Sequence, residues 1–467
     1  MAVLSFFQTI KLPCTMRVFR LTTPLQQKHF FSKLLFLLFF LLLFSIPLDG
    51  FESNRSPKIR FCYLTWQHDP CHTITLNVQG YKTPNELTVY YDTEPCDGKS
   101  SCYRYKTCGK EAQGQKILDG RKIYHIELQN LVAGTTYYFA IGNNHRCFGG
   151  EKKFRTLPDD GQPLAIIEGG DWEVTPEAEC LAKIAAEKNP YAVFLGGDYP
   201  SYVFKLNDFK KWDAWLDVYT RRMVTPEGCL IPMVMTIGNH EVLGGFGQTK
   251  TEVLFFYEFF RQAEGDKTYF TLPFGPRIQL YVLDSGHAAS INGEQKQWLA
   301  KVLEETKDIP IKLALYHVPL YPSLRFASKD IYYYSVYKIV ELCHGHAADK
   351  LFSKESKLGR QHWLPLFDQY GMTVAFEHHD QALKRTKILK GGKEDPRGTL
   401  FLGDGGWGSE YQYHPIQGYF HSYFAMLKGK VHFFWLVEIE EETITYSAVT
   451  SEGVLIDHFV QFLRSKE

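Results

Sequence analysis

The chain has 467 residues, with 52 basic and 52 acidic side chains. That length suits two or three domains, and the zero formal charge excludes a global field that would recruit nucleic acid. An aromatic share of 15% with no low-complexity tract after the start excludes a largely disordered polypeptide.

The first segment stands apart. Leu34 to Leu48 is almost continuous Leu and Phe, preceded by Lys28 and Lys33. A charged flank followed by about 15 apolar residues fits a signal-peptide core within residues 1–50. It is short for a membrane span, which needs roughly 20 residues, so a tilted signal anchor is the alternative. Met16 offers a second start, and Gly50 is a weak cleavage point. Secretory entry is therefore expected, with the mature chain outside the cell or in a lysosomal or vacuolar lumen. It would be held at a membrane only if the leader stays uncleaved.

An oxidising compartment changes how the cysteines read. Cys62, Cys71, Cys96, Cys102, Cys108 and Cys147 crowd the first hundred residues after the leader, a density that suits disulfides whose pairing sequence cannot supply. Cys180, Cys229 and Cys343 are scattered and read as buried thiols or one further bridge. Asn54-Arg55-Ser56 is a glycosylation sequon.

Over residues 55–157 the pattern is short alternating runs. TITLNV, ELTVYY, YHIELQNL and TTYYFAIG read as strands between Gly, Pro, Asn and Asp clusters, which predicts a β-sandwich. LVAGTTYYFAIG resembles a late strand pair of fibronectin type III domains. Pro158-Asp159-Asp160-Gly161 reads as a linker.

Over residues 162–467 the grammar changes. The apolar runs LAIIE, YAVFLG, IPMVMTI, IQLYVLD, IKLALY, TVAFE and TLFLG alternate with helical segments at Glu177–Lys188, Leu206–Arg222 and Glu294–Glu305. This alternation predicts a layered α/β domain with buried sheets. VHFFWLVEIEEETITYSAV and GVLIDHFVQF return to strand grammar.

Five of these runs end on polar residues. They deliver Gly169-Gly170-Asp171, Gly197-Asp198, Gly238-Asn239-His240-Glu241, His317-Val318-Pro319 and His378-His379-Asp380-Gln381. A Gly-Asp after a strand is by itself an ordinary turn. Five such ends in order are not, because α/β sheets place ligands at the carboxyl ends of their strands. Carboxylate, amide oxygen and imidazole together suit a hard or borderline metal ion.

This ordered set resembles the metallophosphoesterase superfamily, and the chain from about Arg60 onward resembles the purple acid phosphatases. The family blocks run G-D-x-G, G-D-x-x-Y, G-N-H-[DE], V-x-x-H and G-H-x-H. The third matches unchanged, and the fourth matches through His317. Ala382-Leu383-Lys384-Arg385-Thr386 resembles the tail of the fifth, which aligns His379 with its first histidine and Gln381 with its second. The resemblance implies a fibronectin type III-like sandwich followed by a four-layer metallophosphoesterase domain of two mixed sheets flanked by helices. It implies two divalent or trivalent metal ions (Fe, Mn, Zn or Mg). Asp198 would bridge them, with Asn239, His317 and His379 on the second and Asp171 on the first. His240 would contact phosphate and protonate the leaving oxygen, while a metal-activated water or hydroxide attacks phosphorus in line. Asn239 and His240 are thus also the expected substrate-binding residues. A phosphorylated small molecule or phosphoprotein is the expected substrate.

The departures from the family fall on the first metal. Ser201 stands where the family has its tyrosine, with Tyr199 and Tyr202 displaced from it. Gln381 replaces a histidine, and the first block reads Asp171-Trp172-Glu173. An oxygen-rich site of Asp171, Glu173, Asp198 and Gln381 is one expectation, favouring Mn²⁺, Mg²⁺ or Fe²⁺ and giving no purple colour; a loop carboxylate is the plain alternative for Glu173. His378 reads as substrate-binding, as a ligand of the first metal, or as an exposed residue, and Asp380 as a carboxylate that orients an imidazole. His344-Gly345-His346, inside the insertion from Pro322 to Arg360, is a decoy of the fifth block. Asp404, in a glycine-rich loop, is not expected to be a ligand. A pseudo-phosphatase that only binds, and a phosphodiester or pyrophosphate hydrolase, are the alternatives to phosphomonoester hydrolysis.

Overall fold

The structure, a computed structural model, describes residues 57–463 except 113–118, 201–207, 254, 264–266, 328–351, 404, 410–414, 416 and 420. The leader, the sequon, Ser201, Tyr202, Cys343, His344, His346 and Asp404 lie outside the described residues. Among the described residues, no helix is long and apolar enough to cross a membrane.

Seven antiparallel strands come first. β1 (Lys58–Thr65), β2 (Ile74–Tyr81) and β5 (Lys122–Leu128) form one sheet. β3 (Glu86–Asp92), β4 (Tyr105–Lys110), β6 (Thr136–Gly142) and β7 (Lys152–Arg155) form the other, in the order β4-β3-β6-β7. Leu64, Leu76, Val78, Val89, Phe139 and Phe154 fill the space between them. β1 and β4 lacked a clear signal, for opposite reasons. β1 is covered on both faces, with Phe61 and Tyr63 packing outward among the aromatic rings of the next domain, so it does not alternate. β4 is largely exposed and carries few apolar residues. Among the described residues one disulfide is present, Cys96–Cys102, whereas Cys62, Cys71, Cys108, Cys147, Cys180 and Cys229 are free thiols.

The second part holds two mixed sheets. The first runs β10-β9-β8-β20-β21-β22, from β8 (Leu164–Gly169), β9 (Ala192–Leu195), β10 (Met233–Met235), β20 (Phe433–Ile439), β21 (Thr443–Thr450) and β22 (Leu455–Phe462). The second runs β11-β12-β13-β14-β18-β15-β19. Its strands are β11 (Phe270–Pro273), β12 (Ile278–Val282), β13 (Ile311–Leu315), β14 (Val374–Glu377), β15 (Leu383–Thr386), β18 (Leu400–Gly403) and β19 (Phe424–Lys428). A small hairpin, β16 (Leu389–Lys390) with β17 (Lys393–Glu394), lies outside both.

The two-residue period of each strand explains the layering. Ile166, Phe194 and Val234 of the first sheet share one apolar core with Leu280, Leu313, Phe376 and Leu402 of the second. Their neighbours turn the other way. Ile167, Val193 and Met235 meet α1 (Pro176–Glu187), α2 (Phe209–Arg222) and the single turn α3 (Phe256–Phe259). Tyr281, Ala314 and Ala375 meet α4 (Glu294–Glu305), α5 (Lys354–His362) and α6 (Leu364–Tyr370). The order is helix, sheet, sheet, helix. α1 starts where Thr175 accepts the Ala178 N–H at 3.2 Å and Pro176 opens the first turn.

Arg121 of the sandwich ties the two parts together. Its side chain is fully buried, one nitrogen donates to Gln79 at 2.8 Å, and two nitrogens grip both Asp213 oxygens of α2 at 2.6 Å. A bidentate guanidinium fixes orientation as well as distance.

Candidate metal centre

The parallel strands β8, β9, β10, β13 and β14 bring their carboxyl ends to one place. The convergence there is tight: ligand atoms of Asp198, His317 and His379 all lie within 4.8 Å of one another.

The tautomer of His317 defines the site. Its Nδ1 donates to Gly196 O at 2.8 Å, which leaves Nε2 as a lone pair. That lone pair faces Asp198 Oδ2, Asn239 Oδ1 and His379 Nδ1, each at 3.1 Å. Four electron-rich atoms pointing at one spot repel unless a cation sits among them. With only protons available, burial would lower the His317 pKa, but the Asp198 charge more than offsets it and lifts His317 to about 9. Burial would likewise raise Asp198, yet His240 and His317 hold its carboxyl well below the usual range. The donor set of one carboxylate, one amide oxygen and two imidazoles fits a borderline divalent ion.

The backbone is bent to serve this arrangement. Of the nine non-glycine residues with positive φ among the described residues, four are Asp171, Asp198, His379 and Gln381. Such conformations cost energy and concentrate where a site demands them. Glu241 holds the Asp198 turn by accepting N–H bonds from Gly238 at 2.7 Å, Asp198 at 2.9 Å and Tyr199 at 3.0 Å. Burial and the Asp198 charge push the Glu241 carboxyl up to about 8. His240 precedes Glu241 on the turn after β10. Its N–H donates to Asp198 Oδ1 at 2.8 Å and its ring Nε2 stands 3.6 Å from Asp198 Oδ2.

Asp171 sits beside this cluster rather than in it. Its Oδ2 accepts the His379 N–H at 3.0 Å, and its Oδ1 accepts the Gln381 side-chain N–H at 3.2 Å. Burial and the nearby Asp198 charge push the Asp171 carboxyl up to about 6, against the pull of His317. The loop after β18 presses against it: a Cβ on Gly405 would come 1.9 Å from Asp171 Oδ2. Trp172 is buried and stacked on Trp407 at 4.3 Å, so it anchors the loop from behind. Glu173 is half-buried, its N–H donates to Trp407 O at 3.2 Å, and it lies outside the compact cluster.

Two expectations need correction. His378 is fully buried, neither exposed nor facing the site. Its Nδ1 donates to Tyr316 O at 3.0 Å, and its Nε2 bonds the buried Glu168 carboxylate of β8. It fits because a Cβ on Gly196 would lie 2.0 Å from its ring and one on Gly170 would lie 2.4 Å away. That leaves no nitrogen for substrate or metal. Asp380 does not orient an imidazole; it accepts the Leu324 N–H at 2.8 Å and pairs with Arg325, fixing the loop after β13. Tyr199 is not placed as a metal ligand. Its hydroxyl is buried against Leu195 O and Thr236 O, each at 2.7 Å, and burial keeps its pKa well above that of ordinary tyrosine.

Sequence reading missed the end of β12. Asp284 accepts N–H bonds from Gly286, His287, Ala288 and Ala289, which shapes a turn that carries His287 to the site wall. His287 is buried and stacked on Phe246 at 4.8 Å, and Phe246 meets the His379 ring edge-on at 6.4 Å. The signal was present: IQLYVLD ends on a polar residue as the other five runs do.

Comparison with known proteins agrees with this geometry. The model of the calcineurin-like phosphoesterase family matches residues 169–351. Purple acid phosphatase 18 of Arabidopsis thaliana is 25% identical over 329 residues, covering 68% of this chain and 65% of that one. Purple acid phosphatase 22 of the same plant is 25% identical over 348 residues, covering 69% and 66%. The match thus spans just under two thirds of each relative's length. Among solved structures, purple acid phosphatase PPD1 from yellow lupin superposes with a TM-score of 0.64 at 16% identity, covering 87% of this chain and 74% of that one. PhoD gives 0.62 at 11% identity, covering 86% and 88%. At such identities the two superpositions speak for fold alone.

Proposed function

We propose that this chain, a purple acid phosphatase-like member of the calcineurin-like phosphoesterases, is a metal-dependent hydrolase of phosphomonoesters. The observation that carries the reading is the meeting of His317 Nε2 with three other electron-rich atoms. Asn239, His317, His379 and Asp198 would hold the second divalent ion, and Asp171, Asp198 and Gln381 the first. Bound metal supplies positive charge against a phosphate and acidifies a water.

The chain's own residues do the rest. Asn239 and His240 share one turn, so a phosphate held at the amide lies within reach of the imidazole. The His240 ring nitrogen stands 3.6 Å from the Asp198 carboxylate, where an imidazole can pass a proton to a leaving oxygen. The buried pair Glu377 and Lys384, 2.5 Å apart, pins β14 and β15 and so the turn bearing His379 between them. We also read the sandwich as fibronectin type III-like on its three-plus-four strand order, with domains at 55–157 and 162–467 after the leader. A lumenal or extracellular location, with cleavage of that leader, belongs to the same reading. So does a small-molecule or phosphoprotein substrate, without nucleic acid.

The bond from Gln381 to Asp171 favours a second reading, a protein that binds phosphate without turnover, because an amide N–H there competes with a metal. Hydrolysis of an aryl phosphate by protein from a secretory host, with Mn²⁺, Fe²⁺ or Zn²⁺ added, separates the two. Asn239→Ala and His240→Ala should each lose activity by about 10²-fold or more. Equal, slow turnover by all three proteins would remove the enzyme reading.

A further inference from the structure

We infer that the two metal positions fill unequally, and that rotation of the Gln381 amide governs the weaker one; this rests on the metal-centre reading above. The second position needs no rearrangement. Asp198, Asn239, His317 and His379 already converge, and the His317 tautomer is fixed by Gly196 O. The first position is different. Asp171 spends one oxygen on the His379 N–H and the other on the Gln381 N–H. The amide hydrogen thus lies where a cation would have to pull on Asp171 Oδ1.

A side-chain amide offers an oxygen only after turning about its last bond. Here the turn would place Gln381 Oε1 against Asp171 Oδ1. Two oxygens at 3.2 Å repel each other unless a cation lies between them. Meanwhile the present Oε1 is buried with no partner among the described residues. Rotation would put the NH₂ group into that same spot, where nothing described accepts its hydrogens. Loading therefore costs one hydrogen bond and leaves buried donors unmet, penalties that the second position does not incur. Among the described residues no other hydrogen bond holds the amide in its present orientation, so the choice lies between the Asp171 bond and a cation. An imidazole at this place would carry no such penalty, because a ring nitrogen presents its lone pair without trading a hydrogen bond to the same carboxylate.

The test is Mn²⁺ binding by equilibrium dialysis with elemental analysis, paired with electron paramagnetic resonance, on the full secreted chain. Wild type should take one ion and then a second about tenfold or more weaker, a gap expected from one lost hydrogen bond plus one buried unmet group. At one equivalent the spectrum should be that of an isolated ion. Gln381→His, and separately Gln381→Glu, should tighten only the second step and give a coupled two-ion spectrum at two equivalents. Asn239→Ala should weaken the first step. Two equal steps in wild type, or a second step untouched in both Gln381 variants, would overturn the inference. If the steps behave as stated yet no phosphate ester is cleaved, the inference stands and the hydrolase reading falls.

Discussion

His378 passes its Nε2 to the buried Glu168 carboxylate, so the second sheet is joined to the first immediately beside His379 of the candidate metal centre. Burial raises the Glu168 pKa, with His378 pulling against it. Removing the ring leaves that carboxyl buried without its hydrogen-bond partner. His378→Ala should therefore lower stability by about 3–5 kcal/mol, the usual cost of stranding half of a buried pair. Glu168→Gln, which still accepts a hydrogen bond, should cost less. Urea unfolding of both variants measures the difference; a loss below about 1 kcal/mol for His378→Ala would show the pair to be dispensable.

Gly405 has a φ of +77° and lies against Asp171. Alanine there must either leave the left-handed region or push the carboxylate aside. Gly405→Ala should reduce hydrolysis about 10²-fold, the scale expected from displacing a reacting group by about 1 Å. The second metal position should be spared, since Asp171 is the side chain that a Cβ at Gly405 would meet. Metal stoichiometry alongside kcat checks this, and an unchanged kcat would contradict it.

Tyr199 is spent on the backbone, not on metal. Protein loaded with iron should show no tyrosinate charge-transfer band that depends on this residue. Tyr199→Phe should leave the visible spectrum unchanged while costing about 1–3 kcal/mol for the Thr236 carbonyl and the Gly197 N–H that lose the hydroxyl. A visible band lost in that variant would reverse the assignment.

Arg121 also donates to Asp119 within the sandwich at 2.6 Å, and that pairing should make the protein sensitive to acid. Burial raises the Asp119 pKa, but the Arg121 and Tyr81 hydrogen bonds more than offset it and hold the carboxyl below its ordinary value. A folded pKa below the unfolded one means the unfolded chain takes up protons first. The stabilisation is thus present above about pH 4 and is lost as pH falls through the folded pKa. Arg121→Met should lower stability by about 1–3 kcal/mol at neutral pH, since Asp119 and Asp213 keep contact with water, and its urea midpoint should fall less between pH 5 and pH 3 than that of wild type. Parallel acid profiles for the two proteins would argue against the Arg121–Asp119 pairing.

The second half of the fold was legible because buried parallel strands read as apolar runs between helical segments. LAIIE, YAVFLG and IKLALY became β8, β9 and β13, and the helix foreseen at Glu294–Glu305 has those bounds. α5 and α6, with β7 and β11, were not foreseen. They are short, and their burial depends on neighbours distant in the chain, such as Leu320 beneath Gly359.

Sequence by itself determined which residues stand at the strand ends, since a polar residue after a buried run must lie where the sheet meets solvent or a ligand. It therefore named Asp171, Asp198, Asn239, His240, His317, His379 and Gln381. Tertiary structure alone decided which way each one turns. His378 and His379 are adjacent and chemically identical, yet one points inward between the sheets and the other outward to the cluster. The pocket that accepts the first exists only because Gly170 and Gly196, about two hundred residues earlier, carry no side chain, and no local pattern around His378 records them.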